Sequence, residues 1–298
     1  MLPVVPPVDF QEQLTADERR RRKGGVGGQS VEARCLKRRA ETDPFDTRIT
    51  RRRFGATVGY ALASIAFGDG CLVSTKTAEK GDGRLTARPR SGIANSLSSG
   101  PLGLGDGRDG VIQMPSGIPQ AQVPLLLFLH GATQSGAVML RRIGAAADQA
   151  GVAVLAPDSR GTTWDAIRDG FGDDVAFLNR ALDHVFAHLP VDPARLTIGG
   201  FSDGASYALS LGLANGDLFP SIVAFSPGFV ISAAVHGRPR FFVSHGTSDQ
   251  ILPIDRTSRV IVPRLRSMGY DVTFREFEGR HELPPDVANE GLRWMGSI

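Results

Sequence analysis

The chain has little cysteine: Cys35 and Cys71 are the two in 298 residues. Neither stands at a metal-ligand spacing, and one pair cannot make the disulfide framework of a small secreted scaffold. Long apolar runs are missing too. The charge-free stretch Phe54–Phe67 is 14 residues, short of the ~20 that a helix needs to cross a bilayer. No internal repeat is visible. After residue 70 the chain also lacks an excess of charge. Residues 71–298 hold 21 Lys/Arg against 22 Asp/Glu, so a phosphate-neutralising surface is not written into them and no nucleic-acid partner is expected.

What is there suits a globular protein with a sizeable core: 41% of residues are hydrophobic and 22% charged, in a length that fits one large domain or two small ones. The net charge of +3 gathers at the start, where residues 1–53 carry 13 Lys/Arg against 8 Asp/Glu, including Arg19–Lys23 and Arg51–Arg53. Phe54–Phe67 then fits the apolar region of a secretory signal, and Thr50-Arg51-Arg52-Arg53-Phe54 resembles the twin-arginine export consensus. Export to the periplasm or cell envelope is the expectation. Cys71 follows Gly68-Asp69-Gly70, where a lipoprotein signal places its lipid-modified cysteine. Membrane anchoring through a lipidated Cys71 therefore stands beside simple cleavage and retention of the segment as alternatives. The arginines lie farther from Met1 than signals normally allow, so a start downstream of Met1 is expected. Residues 1–71 read as a basic arm plus export signal. Residues 72–108, rich in Gly, Ser, Thr and Arg, read as a flexible linker feeding edge strands near Leu85–Arg88 and Val111–Met114, and residues 109–298 as the functional domain. The Asp/Gly loops at 80–83 and 105–110 offer too few carboxylates for calcium and read as turns.

From about residue 122, short apolar runs alternate with amphipathic segments. The expected strands are Val123–Leu129, Val152–Ala156, Leu196–Gly200, Ile222–Phe225, Arg240–Ser244 and Asp271–Glu276, short, β-branched or aromatic and for the most part apolar on both faces, as buried parallel strands are. Helices are expected near 138–150, 174–189, 203–214, 256–268 and 285–296. The clearest is 174–189, where Val175, Leu178, Leu182, Val185, Phe186 and Leu189 make one stripe. Such alternation implies an α/β fold: a doubly wound, mostly parallel sheet with helices on both faces. Its reactive groups belong beyond the carboxyl ends of the strands.

Gly200-Phe201-Ser202-Asp203-Gly204 stands at such an end, with a strand leading in and a helix leading out. A turn this tight strains the serine backbone and tolerates no side chain at the flanking glycines. Ser202 is the candidate nucleophile, and a serine needs a base to take its proton. In this strand–turn–helix arrangement an acid and then a histidine follow the serine. Of the histidines after Ser202, His281 lies just past the last expected strand. His245 reads as a turn histidine ordering His245–Asp249, and His236 as a surface residue. Asp249, shortly after the strand Arg240–Ser244, is the candidate acid that holds the imidazole in its tautomer. The backbone amides of Asp203 and Ala132 are the candidate oxyanion donors, the latter in the loop His130-Gly131-Ala132-Thr133-Gln134-Ser135-Gly136. His130 is expected to pack or hydrogen-bond within that loop.

Other residues carry two readings. Trp164 lines an acyl or alcohol pocket or packs in the core; Phe229, Val230 and Leu252 form apolar walls of the site or simply pack. His184 and His188 have helical metal-pair spacing but no third ligand, and read as an exposed face; no metal is expected. Asp173 and Asp174 open a helix, where acidic residues favour the positive end. Only about a dozen residues separate the strands at 222–225 and 240–244, too few for a large cap domain, so an open, shallow site is expected.

Leu129-His130-Gly131, Gly200–Gly204, His245–Asp249 and Gly279-Arg280-His281 together resemble the carboxylesterase/phospholipase group of α/β-hydrolases over roughly residues 122–296. The resemblance implies hydrolysis of small or short-chain carboxylic esters through an acyl-enzyme on Ser202, Asp249 and His281, without metal or organic cofactor. Asp173–Leu178 and Val191–Arg195 also look like secreted polyhydroxybutyrate depolymerases and feruloyl esterases, which makes polymer or feruloyl esters the alternative. An inactive envelope-binding protein on the same scaffold is the alternative of another class. Asp203 departs from the group, where Gln is frequent; the backbone donor survives that change, and what the change puts in question is the local polarity of the pocket.

Overall fold

The computed structural model describes residues 81–296, apart from residue 106, residues 118–121 and residue 232. The expected export signal, Cys35, Cys71 and the expected linker before residue 81 lie outside the described residues. Eight strands form one sheet: β1 (Gly100–Pro101), β2 (Gly110–Gln113), β3 (Val123–Leu129), β4 (Ala153–Pro157), β5 (Val191–Phe201), β6 (Ser221–Phe225), β7 (Arg240–Gly246) and β8 (Val272–Phe277). Their order is β1-β2-β4-β3-β5-β6-β7-β8. β1 and β2 are antiparallel; from β4 across to β8 every neighbour is parallel. Six helices connect them: α1 (Gly136–Gln149), α2 (Asp165–Arg168), α3 (Asp173–His188), α4 (Asp203–Ala214), α5 (Ser258–Ser267) and α6 (Pro285–Gly296).

The pleat sorts the strand side chains onto two cores, as period-two alternation dictates. Leu125, Leu127 and Leu129 of β3 join Ile198, Ile222, Phe241 and Val243 beneath α3, α4 and α5. Leu126 and Phe128 join Val154, Val223, Phe225 and Phe242 beneath α1 and α6, where Met139, Ile143, Val287 and Leu292 close the other face. All seven residues of β3 are buried, which is why its sequence is continuously apolar rather than alternating. The chain leaves β3 in one direction to β4, then returns to the opposite side of β3 as β5. The crevice above β3 and β5 is therefore the topological switch point, where such sheets bind ligands.

Three elements differ from expectation. β5 starts at Val191, earlier than Leu196, because Val123 also pairs with Val191 across a bulge. The four-residue helix α2 is too short to leave a periodic signal. No strand forms at Leu85–Arg88, and residues 84–88 are not a free linker. Leu85 and Ala87 are buried in the core, and side-chain amides replace a partner strand. Asn215 Oδ1 accepts from the Leu85 amide at 2.8 Å, and Asn179 Oδ1 accepts from those of Thr86 and Ala87 at 2.7 and 2.9 Å. Between β6 and β7 the described residues of 226–239 hold no helix, so no cap domain stands there.

Candidate active site

β5 ends at Phe201 and α4 begins at Asp203, so Ser202 alone makes the turn, at φ 58° and ψ −121°. Such a backbone costs a non-glycine residue about 1–3 kcal/mol and persists only when its surroundings fix it. Here the Ser202 amide donates to Phe225 O of β6 at 2.9 Å, and its carbonyl accepts from the amides of Ala205 and Ser206 at 3.0 Å each. The glycines are obligatory. A Cβ on Gly200 would lie 2.4 Å from the Gly204 backbone, and one on Gly204 would lie 2.2 Å from Leu129 O.

The loops after β7 and β8 bring the other two candidates to the half-buried hydroxyl. Ser202 Oγ lies 2.8 Å from His281 Nε2, and His281 Nδ1 lies 2.7 Å from Asp249 Oδ2. A carboxylate only accepts, so Nδ1 carries the hydrogen and Nε2 presents a lone pair to the serine hydroxyl. Asp249 Oδ1 accepts from the amides of Ile251 and Leu252 at 2.9 and 2.8 Å, which fixes the carboxylate's plane. His281 also lies against Phe201, ring centroids 4.9 Å apart. A hydroxyl so placed can lose its proton to the imidazole as it attacks a carbonyl carbon.

The loop after β3 stands over Ser202: a Cβ on Gly131 would sit 3.3 Å from Ser202 Cβ. His130 is buried and shapes this loop. Its Nε2 accepts from the Ser159 amide at 2.9 Å, so Nδ1 carries the hydrogen and donates to Gly131 O at 2.7 Å. Burial lowers its pKa and keeps it neutral. Gly131 O and the Ala132 N–H belong to one planar trans peptide and point opposite ways. Fixing the carbonyl therefore fixes where the amide points. The Ala132 and Asp203 amides have no protein acceptor among the described residues, as donors kept for a ligand require. The Asp203 side chain turns aside to accept from Thr163 Oγ1 at 2.6 Å, a contact the sequence did not suggest.

Trp164 is not a pocket wall. It is fully buried, donates from Nε1 to His130 O at 2.9 Å, and stacks on Tyr207 with centroids 5.2 Å apart. Its place is behind the loop, where an indole can satisfy a carbonyl while filling volume. Leu252 and Phe229 are half-buried and Val230 is buried. The Leu252 side chain packs against the backbone at Gly228, 3.1 Å from where a Cβ there would stand, so the loops after β6 and β7 meet beside Asp249. His245 is wholly buried and reaches Asp249 as well as its own loop, a link that the four-residue spacing to Asp249 could have suggested. His236 lies away from the site, its amide bonded to Leu213 O. The rings of His184 and His188 lie tilted against each other on α3, centroids 4.6 Å apart, and no group of three metal-ligating side chains exists among the described residues.

Comparison with known proteins agrees with this architecture. A family model described as Phospholipase/Carboxylesterase matches residues 161–290. NocK of Nocardia uniformis subsp. tsuyamanensis, named as a candidate esterase, is 31% identical over 147 residues, covering 45% of this chain and 42% of NocK. Feruloyl esterase C of Emericella nidulans is 28% identical over 176 residues, covering 56% of this chain and 64% of that enzyme. The chain thus spans roughly half the length of the curated relatives it matches. Among solved structures, esterase PE8 superposes with a TM-score of 0.52 at 19% identity, covering 68% of this chain and all of PE8; at that identity the likeness speaks for the fold. Sheet order, the strained serine at the switch point and these likenesses together show an α/β-hydrolase fold that over residues 161–290 is similar to the phospholipase/carboxylesterase family.

Proposed function

We propose that this protein hydrolyses small or short-chain carboxylic esters through an acyl-enzyme on Ser202. The observation that carries this is the unbroken row Ser202 Oγ–His281 Nε2 at 2.8 Å and His281 Nδ1–Asp249 Oδ2 at 2.7 Å. His281 takes the hydroxyl proton as Ser202 Oγ bonds to the ester carbon, and Asp249 stabilises the imidazolium. The Ala132 and Asp203 amides receive the carbonyl oxygen as it becomes an oxyanion, assisted by the positive end of α4. Collapse expels the alcohol with the proton from His281. Water, deprotonated by the same imidazole, then releases the acid and restores the serine. The short 226–239 connection leaves the site open, which favours soluble short esters over long-chain glycerides. Similarity to a feruloyl esterase supports aryl esters as the alternative substrate, with polyhydroxybutyrate as a polymeric one.

Residues 1–71 are proposed to export the protein, with Cys71 as its candidate lipid anchor; mass analysis of the mature N-terminus from a membrane fraction tests that. The decisive test of the activity is labelling with a fluorophosphonate followed by mapping of the adduct, which is expected on Ser202. Ser202→Ala is expected to lose at least about a thousandfold in kcat on p-nitrophenyl butyrate. Rates on methyl ferulate and polyhydroxybutyrate rank the alternatives. Wild type and Ser202→Ala equally inactive across the ester panel, with no adduct, would leave only a binding role on the scaffold.

A further inference from the structure

Asp249 is served by two histidines. Its Oδ2 meets His281 Nδ1 at 2.7 Å and His245 Nε2 at 3.1 Å. The same His245 nitrogen lies 2.8 Å from Leu252 O. A nitrogen facing two acceptors must carry the hydrogen, so His245 is the Nε2–H tautomer; it donates to Leu252 O, and its polar N–H edge lies 3.1 Å from Asp249 Oδ2. Its Nδ1 is then a bare lone pair, and Ser258 Oγ, 2.7 Å away at the start of α5, donates to it. Both side-chain atoms are thereby committed in a ring with no exposed surface. Burial also holds this imidazole's pKa down, so it stays neutral. A plain turn histidine needs only the Leu252 bond; the 3.1 Å approach of the same N–H to the triad carboxylate is a surplus with chemical effect.

Resting on the ester-hydrolase reading, we infer that His245 is a positioning residue. Its Nε2–H holds Asp249 and draws electron density from the carboxylate oxygen that His281 uses. The sign follows from which form of His281 the carboxylate favours. An Asp249 oxygen already accepting a second N–H is a weaker acceptor for His281, so it stabilises the imidazolium less. Loss of the second donor makes Asp249 a stronger partner, favours the charged His281, and removes the free base at pH values where wild type still has it. The titratable groups facing the pair are few. His281 comes from the loop after β8. Glu276 pairs with His245 in register across β7 and β8, but its carboxylate is bonded by Arg259 at 2.9 and 2.5 Å. That ion pair is untouched by changes at residue 245.

Two substitutions separate positioning from packing. His245→Gln places an amide nitrogen where Nε2 stands and keeps a donor to Asp249. His245→Asn reaches only as far as Nδ1, so it keeps a partner for Ser258 and loses Asp249. The full-length protein with 15N-labelled histidine is titrated by NMR, which needs no substrate. That readout survives a failure of the ester reading, which the Ser202 adduct tests separately. His245→Asn is expected to move the His281 titration midpoint, and with it the acid limb of kcat/KM, upward by about half to one pH unit. It is also expected to lower kcat about tenfold near neutrality with KM within twofold. His245→Gln is expected to return both midpoints to near the wild-type position. A His245→Asn protein that is folded and titrates His281 at the wild-type midpoint would overturn the inference. So would a His245→Gln protein displaced as far as His245→Asn.

Discussion

Glycines around Ser202 differ in what a methyl group would strike. At Gly204 the obstacle is Leu129 O, 2.2 Å from the added Cβ and part of a central strand. Gly204→Ala must shift backbone, so a loss of about 2–4 kcal/mol in stability is expected, together with loss of activity; urea unfolding measures it. At Gly228 the obstacle is the tip of the Leu252 side chain at 3.1 Å, which can rotate. Gly228→Ala should leave the unfolding midpoint nearly unchanged; an altered KM for bulkier esters would assign the loops after β6 and β7 as walls of the site, and an unchanged KM as packing alone. His130 makes a third contrast. It touches no reacting atom, yet His130→Ala frees the Gly131–Ala132 peptide to rotate. A drop of about 10- to 100-fold in kcat with little change in KM is expected. A KM rise with kcat intact would remove the amide-aiming role.

Elements are held to one another by carboxylates placed where helices begin. Asp165 and Asp174 cap each other's turns. The Asp165 amide donates to Asp174 Oδ2 at 2.6 Å, and the Asp174 amide donates to Asp165 Oδ2 at 2.8 Å. The Arg160 amide completes Asp174 at 2.5 Å, and Tyr207 Oη–H donates to Asp165 at 2.9 Å. Burial pushes Asp174 from 3.8 up to about 6 against the pull of its amide donors. The folded state thus binds this proton more tightly than the unfolded one. Its contribution to stability is full below about pH 4 and is lost as pH rises through 6. The difference in unfolding free energy between wild type and Asp174→Asn should therefore shrink by about 2 kcal/mol from pH 4 to pH 7. A pH-independent difference would mean that Asp174 is not desolvated in the folded state. The acidic pair was legible as a helix start, but the division of labour was not. Asp173 is exposed and Asp174 buried, and only the position of α2, four residues long, decides which one turns inward. Longer elements were legible for the opposite reason. Strand β3 and helix α3 bury a whole run or a whole stripe, and burial writes itself into composition at the element's own period.

Across the molecule, the legible part was the alternation of strand and helix, because it forces parallel pairing and puts Ser202, Asp249 and His281 at one edge of the sheet. The candidate row could be named from motif and order. The second donor on Asp249 and the support behind the oxyanion loop could not, since they depend on which side chains meet across loops. The N-terminal segment hid for the same reason on a larger scale. Nothing near Leu85 in the chain announces that its partner is Asn215, 130 residues on. Asn215 is fully buried and uses both ends of its amide: Oδ1 accepts from Leu85, while Nδ2 donates to Gly83 O at 2.7 Å and Leu211 O at 2.9 Å. Arg84 and Arg88 add ion pairs to Asp217, but these are partly exposed and weak beside a buried amide. Asn215→Ala takes this partner from one buried N–H, of Leu85, and from two carbonyls, of Gly83 and Leu211, at about 1–3 kcal/mol for each group left unpaired. Leu85 and Ala87 should then lift from the core. The expected result is selective proteolysis within residues 81–90 while the rest of the domain stays resistant, with global stability lower by about 2–4 kcal/mol. Arg84→Ala, which removes the Asp217 ion pair and the bond to Ala214 O but no buried amide, should raise the cleavage rate far less. Equal protection of the segment in Asn215→Ala would mean that apolar packing of Leu85 and Ala87 suffices to dock it.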